Sequence, residues 1–211
     1  MAKTTTANIG KAQRKRAPRL SPEEREQQLL RLGVKAFAEK GIGNAKHADI
    51  AKAAGISVPT VFDYFPSKDA LINGVLEEVA REFRAIYEAI DEHGDARESL
   101  LISGRLLTSL VAEKPEYARV WLMWGAIYSE EIRPGYQALE KIFLRKAAAL
   151  LKTTLKKEND ENILLDRARL MVGAGTMLTK LALDEPSPER VEQYVLHVAD
   201  VLLSPPGSDL G

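Results

Sequence analysis

The side chains best suited to contact a nucleic acid lie in one segment, residues 51–68, with the sequence AKAAGISVPTVFDYFPSK. A glycine separates two short helical patterns in this segment. That arrangement predicts a helix-turn-helix whose second helix enters the DNA major groove. We expect one face of the second helix to contact base edges, and the positions beside that face to contact phosphates. The predicted DNA-binding residues here are Ser57, Val58, Pro59, Thr60, Phe62, Asp63, Tyr64 and Lys68.

The predicted base-reading face is poor in side chains that form hydrogen bonds with bases. Val58, Pro59 and Phe62 can contact thymine methyl groups. Asp63 is unusual, because DNA repels a carboxylate unless it accepts a hydrogen bond from a cytosine amino group or orients a neighbour. We therefore expect part of the sequence specificity to come from DNA shape.

A basic N-terminal segment favours the same interpretation. Residues 1–21 contain six Lys or Arg residues and no acid, so in a chain of net charge zero the other 190 residues carry −6. Such asymmetry is typical of an arm that binds nucleic acid. Arg14, Arg16 and Arg19 are expected to enter narrow A·T-rich minor grooves. The alternatives are a leader that only aids solubility and, for the helical segment, ordinary packing within a helical bundle.

The composition argues against other classes of protein. The chain has no cysteine, and its three histidines, His47, His93 and His197, lie far apart and without a carboxylate at metal-ligand spacing. No nucleophile–base pair, carboxylate pair or glycine-rich phosphate loop indicates catalysis. No apolar run approaches the roughly 18 residues that span a bilayer. We therefore expect a cytoplasmic protein that is not an enzyme, holds no metal or cofactor and does not interact with a membrane.

Local signals along the chain predict an all-α protein of about nine helices. Ser21, Ser57 and Ser187 are expected N-caps, because their hydroxyl oxygens can accept free N–H groups of a first helical turn. For the second helix, Asn44 is the only good N-cap candidate nearby. The predicted organisation is a flexible basic arm (1–20), a three-helix helix-turn-helix domain (21–67), a helical ligand-binding and dimerisation domain (68–204) and a disordered tail (205–211).

Residues 22–71 resemble the N-terminal domain of TetR-family transcriptional repressors. The resemblance rests on many residues at fixed spacing: Phe37, Gly41, Asp49-Ile50-Ala51, Ala54-Gly55-Ile56-Ser57, Thr60-Val61-Phe62, Tyr64-Phe65, Pro66-Ser67-Lys68 and Leu71. It implies a DNA-binding domain followed by a helical regulatory domain.

Within that family the chain resembles the HapR/SmcR/LuxR-type quorum-sensing master regulators as far as about residue 150. The matching residues include Leu20-Ser21-Pro22, Gly41-Ile42-Gly43, His47-Ala48-Asp49, Ala96-Arg97-Glu98 and Val120-Trp121. The resemblance implies a homodimer that binds double-stranded DNA at pseudo-palindromic sites, represses or activates, and places arm arginines in the minor groove. Two departures stand out: that subgroup usually has asparagine where this chain has Asp63, and of the arm arginines only Arg19 aligns.

A candidate pocket for an apolar small molecule involves aromatic residues of the fourth and sixth helices. The predicted lining is Phe83, Ile86, Trp121, Met123, Trp124 and Leu144. From the residues alone, ordinary core packing explains the two tryptophans better. The resemblance favours a pocket, since positions matching Phe83 and Trp121 line a cavity in that subgroup.

A candidate dimer interface involves the last two helices. Small residues at 173–176 permit close helix approach, and the ninth helix has an apolar stripe. The predicted interface residues are Gly175, Leu178, Val191, Tyr194, Val195, Val198 and Leu202. The alternative is that these residues pack within one chain. A dimer is expected in either case, because one short helix reads too few base pairs for useful specificity.

Three other functions stay open at this stage. One is a ligand-responsive TetR-type repressor of a local operon, unrelated to quorum sensing. Another is a helical carrier of a small molecule. The third is a structural interaction module, although that function explains neither the basic arm nor the tyrosine and lysine beside the reading helix.

Overall fold

The computed structural model describes residues 20–89, 94–155 and 160–204. Within these ranges the protein is all-α, as predicted, and none of its helices is long and apolar enough to cross a membrane. The described residues form nine helices: α1 (Pro22–Lys40), α2 (His47–Ala54), α3 (Val58–Tyr64), α4 (Lys68–Glu88), α5 (Ala96–Glu113), α6 (Pro115–Ala126), α7 (Arg133–Thr154), α8 (Glu161–Asp184) and α9 (Pro188–Leu203). The predicted arm, with Arg14, Arg16 and Arg19, and the predicted tail at 205–211 lie outside the described residues.

Side-chain caps begin α1, α3 and α9 at the serines that the sequence predicted. The Ser21 hydroxyl accepts the N–H of Glu24 at 3.1 Å, and Glu24 accepts the N–H of Ser21 at 2.8 Å. This capping box satisfies two N–H groups that have no partner inside α1. Ser57 and Ser187 cap α3 and α9 with the serine oxygen alone, which accepts the N–H of Thr60 and of Arg190.

The predicted cap of α2 is wrong. Asn44 does not cap α2; its side-chain amide donates to the Lys40 carbonyl at 3.0 Å, at the end of α1. The N-cap position of α2 is Lys46, whose side chain makes no capping hydrogen bond. The Asp49 carboxylate instead accepts the Lys46 N–H at 3.0 Å. A carboxylate in the first turn satisfies the backbone there and also interacts favourably with the helix dipole.

The helix-turn-helix part is fixed to the rest of the protein through α1, which packs against α4 and α6. Gly33 allows the close approach, because a Cβ there would lie 2.5 Å from Val75 Cγ2 of α4. Farther along the chain, α5, α8 and α9 pack together, and α7 packs against α8. Gly104 of α5 similarly leaves room for Val195 of α9, 2.7 Å from where a Cβ would be. One apolar cluster extends from Leu29 in α1 to Leu202 in α9.

Candidate nucleic-acid interface

The turn between α2 and α3 depends on Gly55. Its backbone is left-handed, with φ 67° and ψ 33°, a conformation that costs glycine little and other residues more. The Ile56 N–H then donates to the Ala51 carbonyl at 3.1 Å, which closes the end of α2. Ser57 begins α3 by accepting the Thr60 N–H at 3.3 Å. These local bonds set the direction in which α3 leaves the turn.

The outer face of α3 is the one predicted to read bases. Val61 and Phe65 are buried, as expected for the core face. On another side of the helix, Val58 is 36% exposed and Phe62 is 44% exposed, and Pro59 and Asp63 are exposed beside them. The protein thus presents two large apolar side chains and one carboxylate on one short helical surface, which has the shape and chemistry to contact thymine methyl groups.

The flanks of α3 provide groups that can reach phosphates. Lys68 is exposed at the first residue of α4, where Ser67 caps the helix by accepting the Ala70 N–H at 3.0 Å. Thr60 and Tyr64 are half-buried beside the outer face. The Thr60 hydroxyl already shares a 2.8 Å hydrogen bond with the Ser57 hydroxyl, so this pair would contact DNA as a unit.

His47 also lies at this surface, a position that no sequence pattern indicated. Its imidazole is buried, its Nε2 lies 2.7 Å from the Phe65 carbonyl oxygen, and its ring stacks on Phe62 with centroids 4.0 Å apart and planes 4° apart. His47 and Phe62 are 15 positions apart on different helices, so no periodic pattern in the sequence connects them.

Electrostatic contacts fix the start of α2 to the end of α1. Lys40 Nζ lies 2.6 Å from Asp49 Oδ1. The hydrogen bond from Lys40, followed by the one from the Lys46 N–H, holds the pKa of Asp49 below its ordinary value. Asp49 is therefore a charged cap that joins the two helices.

A cavity of about 60 Å³ lies between α4, α5, α6, α8 and α9. Three of the predicted pocket residues, Phe83, Ile86 and Trp121, line this cavity, and the Phe83 and Trp121 rings stack with centroids 4.4 Å apart. Within the described residues its lining contains no charged side chain. Burial raises the pKa of the Tyr87 phenol well above its ordinary value, so this lining hydroxyl stays neutral.

The other three predicted pocket residues do not line the cavity. Trp124 is buried, but its indole N–H donates to the Ile132 carbonyl at 3.2 Å and its ring packs edge-on against Tyr136. Met123 is half-buried outside the lining, and Leu144 lies in a surface groove between α7 and α8. Trp121 and Trp124 are three residues apart on α6 and their rings meet edge to face with centroids 6.1 Å apart, but only Trp121 reaches this cavity.

The predicted dimer residues lie mainly inside the subunit. Leu178, Val191, Val195 and Leu202 are buried by the chain itself, which supports the alternative of packing within one chain. Gly175, Tyr194 and Val198 line the cavity, and the Tyr194 hydroxyl donates to the Ala174 carbonyl at 3.2 Å. The exposed apolar residues of these helices are different ones: Ile163, Leu170 and Met177 on α8 and Val201 on α9.

The segment that carries this geometry matches a known family. The family model described as "Bacterial regulatory proteins, tetR family" matches residues 29–75, which contain all of α2, the turn and α3. Residues 29–75 are a TetR-type DNA-binding segment.

Similar proteins extend this finding. The HTH-type transcriptional regulator LuxR of Vibrio harveyi is 40% identical over 117 residues, which is 55% of this chain and 57% of that protein. The chain thus spans little more than half the length of this curated relative. The relatives are named transcriptional regulators, which agrees with the expectation that this chain is not an enzyme.

Solved structures share the fold along most of the chain. A TetR-like transcriptional regulator from Rhodococcus sp. RHA1 superposes with a TM-score of 0.71 at 22% identity, over 87% of this chain and 96% of that one. The regulator FadR from Bacillus subtilis, solved in complex with stearoyl-CoA, gives a TM-score of 0.66 at 22% identity, over 84% of this chain and 97% of that one. At this identity the likeness shows the fold alone: an N-terminal helix-turn-helix followed by a helical domain.

Proposed function

We propose that this protein is a cytoplasmic, sequence-specific DNA-binding regulator of transcription. The observation that carries the proposal is the outer face of α3, where Val58 and Phe62 are exposed beside Asp63 and close to Lys68. Burying such a face against DNA removes apolar surface from water, and the adjoining cation neutralises a phosphate. The basic arm, including Arg14, Arg16 and Arg19, adds contacts in the minor groove.

We further propose that the regulator acts as a homodimer through an apolar stripe on α8. Ile163, Leu170 and Met177 are spaced seven residues apart, which places them on one helical face, and Leu170 and Met177 are 62% and 51% exposed. Gly173 lies between Leu170 and Met177 and is exposed, and beyond the nearby backbone of α8 no described atom lies within 4 Å of where a Cβ would be. The gap permits close approach of a second copy of α8, and Val201 extends the stripe onto α9.

A charge placed on the stripe tests the dimer. Leu170→Glu should give a monomer by light scattering and a loss of cooperative operator binding, because the carboxylate would be buried without a partner. Ile102→Glu is the matched control, since Ile102 is a similarly apolar, exposed residue on α5. Dimers that persist in Leu170→Glu, or an equal loss in both variants, would rule out this interface.

We propose that the operators resemble those of quorum-sensing master regulators. Binding would repress transcription at some promoters and activate it at others. The 40% identity to LuxR and the shared motifs around α2 and α3 support this assignment. The departure at Asp63 predicts that at least one base position differs.

A binding-site selection with the purified full-length chain and random duplex DNA tests the proposal. We expect enrichment of a site with two-fold symmetry whose half-sites are centred about 10 base pairs apart or a multiple of that distance. Recovery of no enriched sequence would contradict DNA reading. Enrichment of a single asymmetric half-site would contradict the dimer alone.

The cavity favours a second, compatible function as a ligand-responsive repressor. At about 60 Å³ it is far smaller than the several hundred cubic ångströms of an ordinary ligand site, so a ligand would have to separate the helices around it. The α8 and α9 segments that line it also carry the proposed dimer stripe, and such a movement would therefore change the spacing of the two reading helices. An apolar, uncharged ligand suits the lining.

A further inference from the structure

His47 packs against one residue of the reading face without belonging to that face. It is the first residue of α2 and only 6% exposed, whereas Phe62 is an exposed residue of α3. The two rings are parallel within 4° at a centroid distance of 4.0 Å. One face of the Phe62 ring is therefore covered by imidazole, and its rotation into other rotamers would break the stack.

The other side of the imidazole is held by the backbone of α3. A carbonyl oxygen can only accept, so Nε2 carries the proton and donates to the Phe65 carbonyl at 2.7 Å. Phe65 is the C-cap of α3, where carbonyl groups lack partners inside the helix. The ring of His47 is thus oriented by the end of α3 and in turn orients Phe62, one turn earlier on the same helix.

We infer that His47 is a positioning residue for specificity: it holds the Phe62 ring where it reads a thymine methyl group. This inference rests on the proposed DNA-binding function. A phenyl ring that is free to change rotamer would still bury apolar surface. Its contact energy, however, would be similar for thymine, which has a C5 methyl group, and for a base that has only a hydrogen at C5. Phosphate contacts by Lys68 and the arm do not depend on the stack, so non-specific affinity and the salt dependence of binding should change little.

Two substitutions separate the contribution of the His47 aromatic ring from that of its hydrogen bond to the Phe65 carbonyl. His47→Gln keeps an N–H donor but removes the aromatic face. His47→Phe keeps an aromatic face but leaves the Phe65 carbonyl without its donor. His47→Leu, which fills similar space without a ring, replaces the glutamine variant if circular dichroism shows that His47→Gln does not fold.

The experiment measures methyl reading directly. Full-length protein binds the selected operator and a set of duplexes in which each dT is replaced in turn by dU, which removes one methyl group. At the position that Phe62 reads, the wild type should lose affinity on replacement. His47→Gln should lower this discrimination roughly three- to tenfold, the size expected of one aromatic pair, with an unchanged salt slope. His47→Phe should keep the discrimination and unfold at a lower temperature.

A double-mutant cycle with Phe62→Ala distinguishes positioning from general damage. If His47 acts through Phe62, His47→Gln has no further effect on dT over dU discrimination in the Phe62→Ala background. Three outcomes would each overturn the inference. They are additive effects in the cycle, a His47→Gln protein that keeps the dT over dU discrimination, and a His47→Phe protein that loses it. A wild type that selects no operator would instead refute the proposed function.

Discussion

The Tyr117 hydroxyl of α6 donates a 3.0 Å hydrogen bond to Glu78 Oε1 of α4, a carboxylate buried near the junction of α1, α4 and α6. Arg81 pairs with the other Glu78 oxygen and also donates to Gln27 of α1 at 3.3 Å. Burial, and then the negative charge of Glu78, raise the pKa of Tyr117 well above its ordinary value. The phenol therefore stays a donor at neutral pH, and the network links α1 of the helix-turn-helix part to α4 and α6.

Removing that donor should destabilise the protein. Tyr117→Phe leaves one oxygen of a buried carboxylate without its partner, and we expect a loss of about 1–3 kcal/mol in the free energy of unfolding. Urea denaturation measures it. Tyr128→Phe is the control, because Tyr128 is 78% exposed, and we expect a change within about 0.5 kcal/mol there. Equal changes in the two variants would show that the bond contributes nothing.

Lys68 should contribute affinity without sequence preference. Replacing it by alanine removes one proposed phosphate contact, so the slope of log Kd against log salt should fall by about 0.9 for every duplex tested. Lys152→Ala, an exposed lysine at the end of α7, should leave the slope unchanged. Titrations at four salt concentrations give the slope, and an unchanged value for Lys68→Ala would remove this residue from the phosphate contacts.

Asp63 should determine which base is read at one position. Asp63→Asn replaces a pure acceptor by a group that both donates and accepts, which suits adenine, and also removes a negative charge from the reading face. We expect stronger binding and a changed base preference at one position per half-site in a randomised selection. Asp69→Asn removes a nearby charge in the first turn of α4 and should strengthen binding without changing preference. The same preference in all three proteins would show that Asp63 does not read bases.

Because of the lowered pKa of Asp49, we expect the free energy of unfolding to depend on pH. Its pKa is held below the ordinary value by Lys40 and the Lys46 N–H, so the folded state binds this proton less readily than the unfolded state. The resulting stabilisation is present above the ordinary pKa of aspartate and is lost as the pH falls through the lowered value. Asp49→Asn should therefore be less stable than the wild type at pH 7, with a difference that shrinks towards pH 3 in urea titrations. A constant difference across this range would exclude the charge as the cause.

The cavity should accept a neutral apolar probe in preference to a charged one. We expect 1-octanol to raise the melting temperature and octanoate to have a smaller effect, because the lining has no cation to pair with a carboxylate. Gly175→Ala adds a methyl group that would lie 3.4 Å from the Tyr87 hydroxyl and should weaken the octanol effect. Gly173→Ala, on the same helix with open space at that position, should not. Equal responses to both probes would argue against binding in this cavity.

The local structure of the reading unit was predictable because its causes are local. Ser57 caps α3 through a residue three positions away, and Gly55 adopts the left-handed conformation that its type permits. The helical period alone assigned Val61 to the core and Phe62 to the outer face. Caps, turns and periodicity act within a few residues, so the sequence determined the all-α class, the helix positions and the orientation of α3.

Only the tertiary structure decided which long-range neighbours those faces meet. It placed His47 against Phe62, separated Trp121 in the cavity wall from Trp124 in the core, and buried Leu178 while exposing Leu170. A helical stripe shows that a face is apolar, but not which of several packed helices covers it. That choice depends on the crossing of helices distant in sequence, such as α1 over α4 at Gly33, where the absence of a side chain sets the distance.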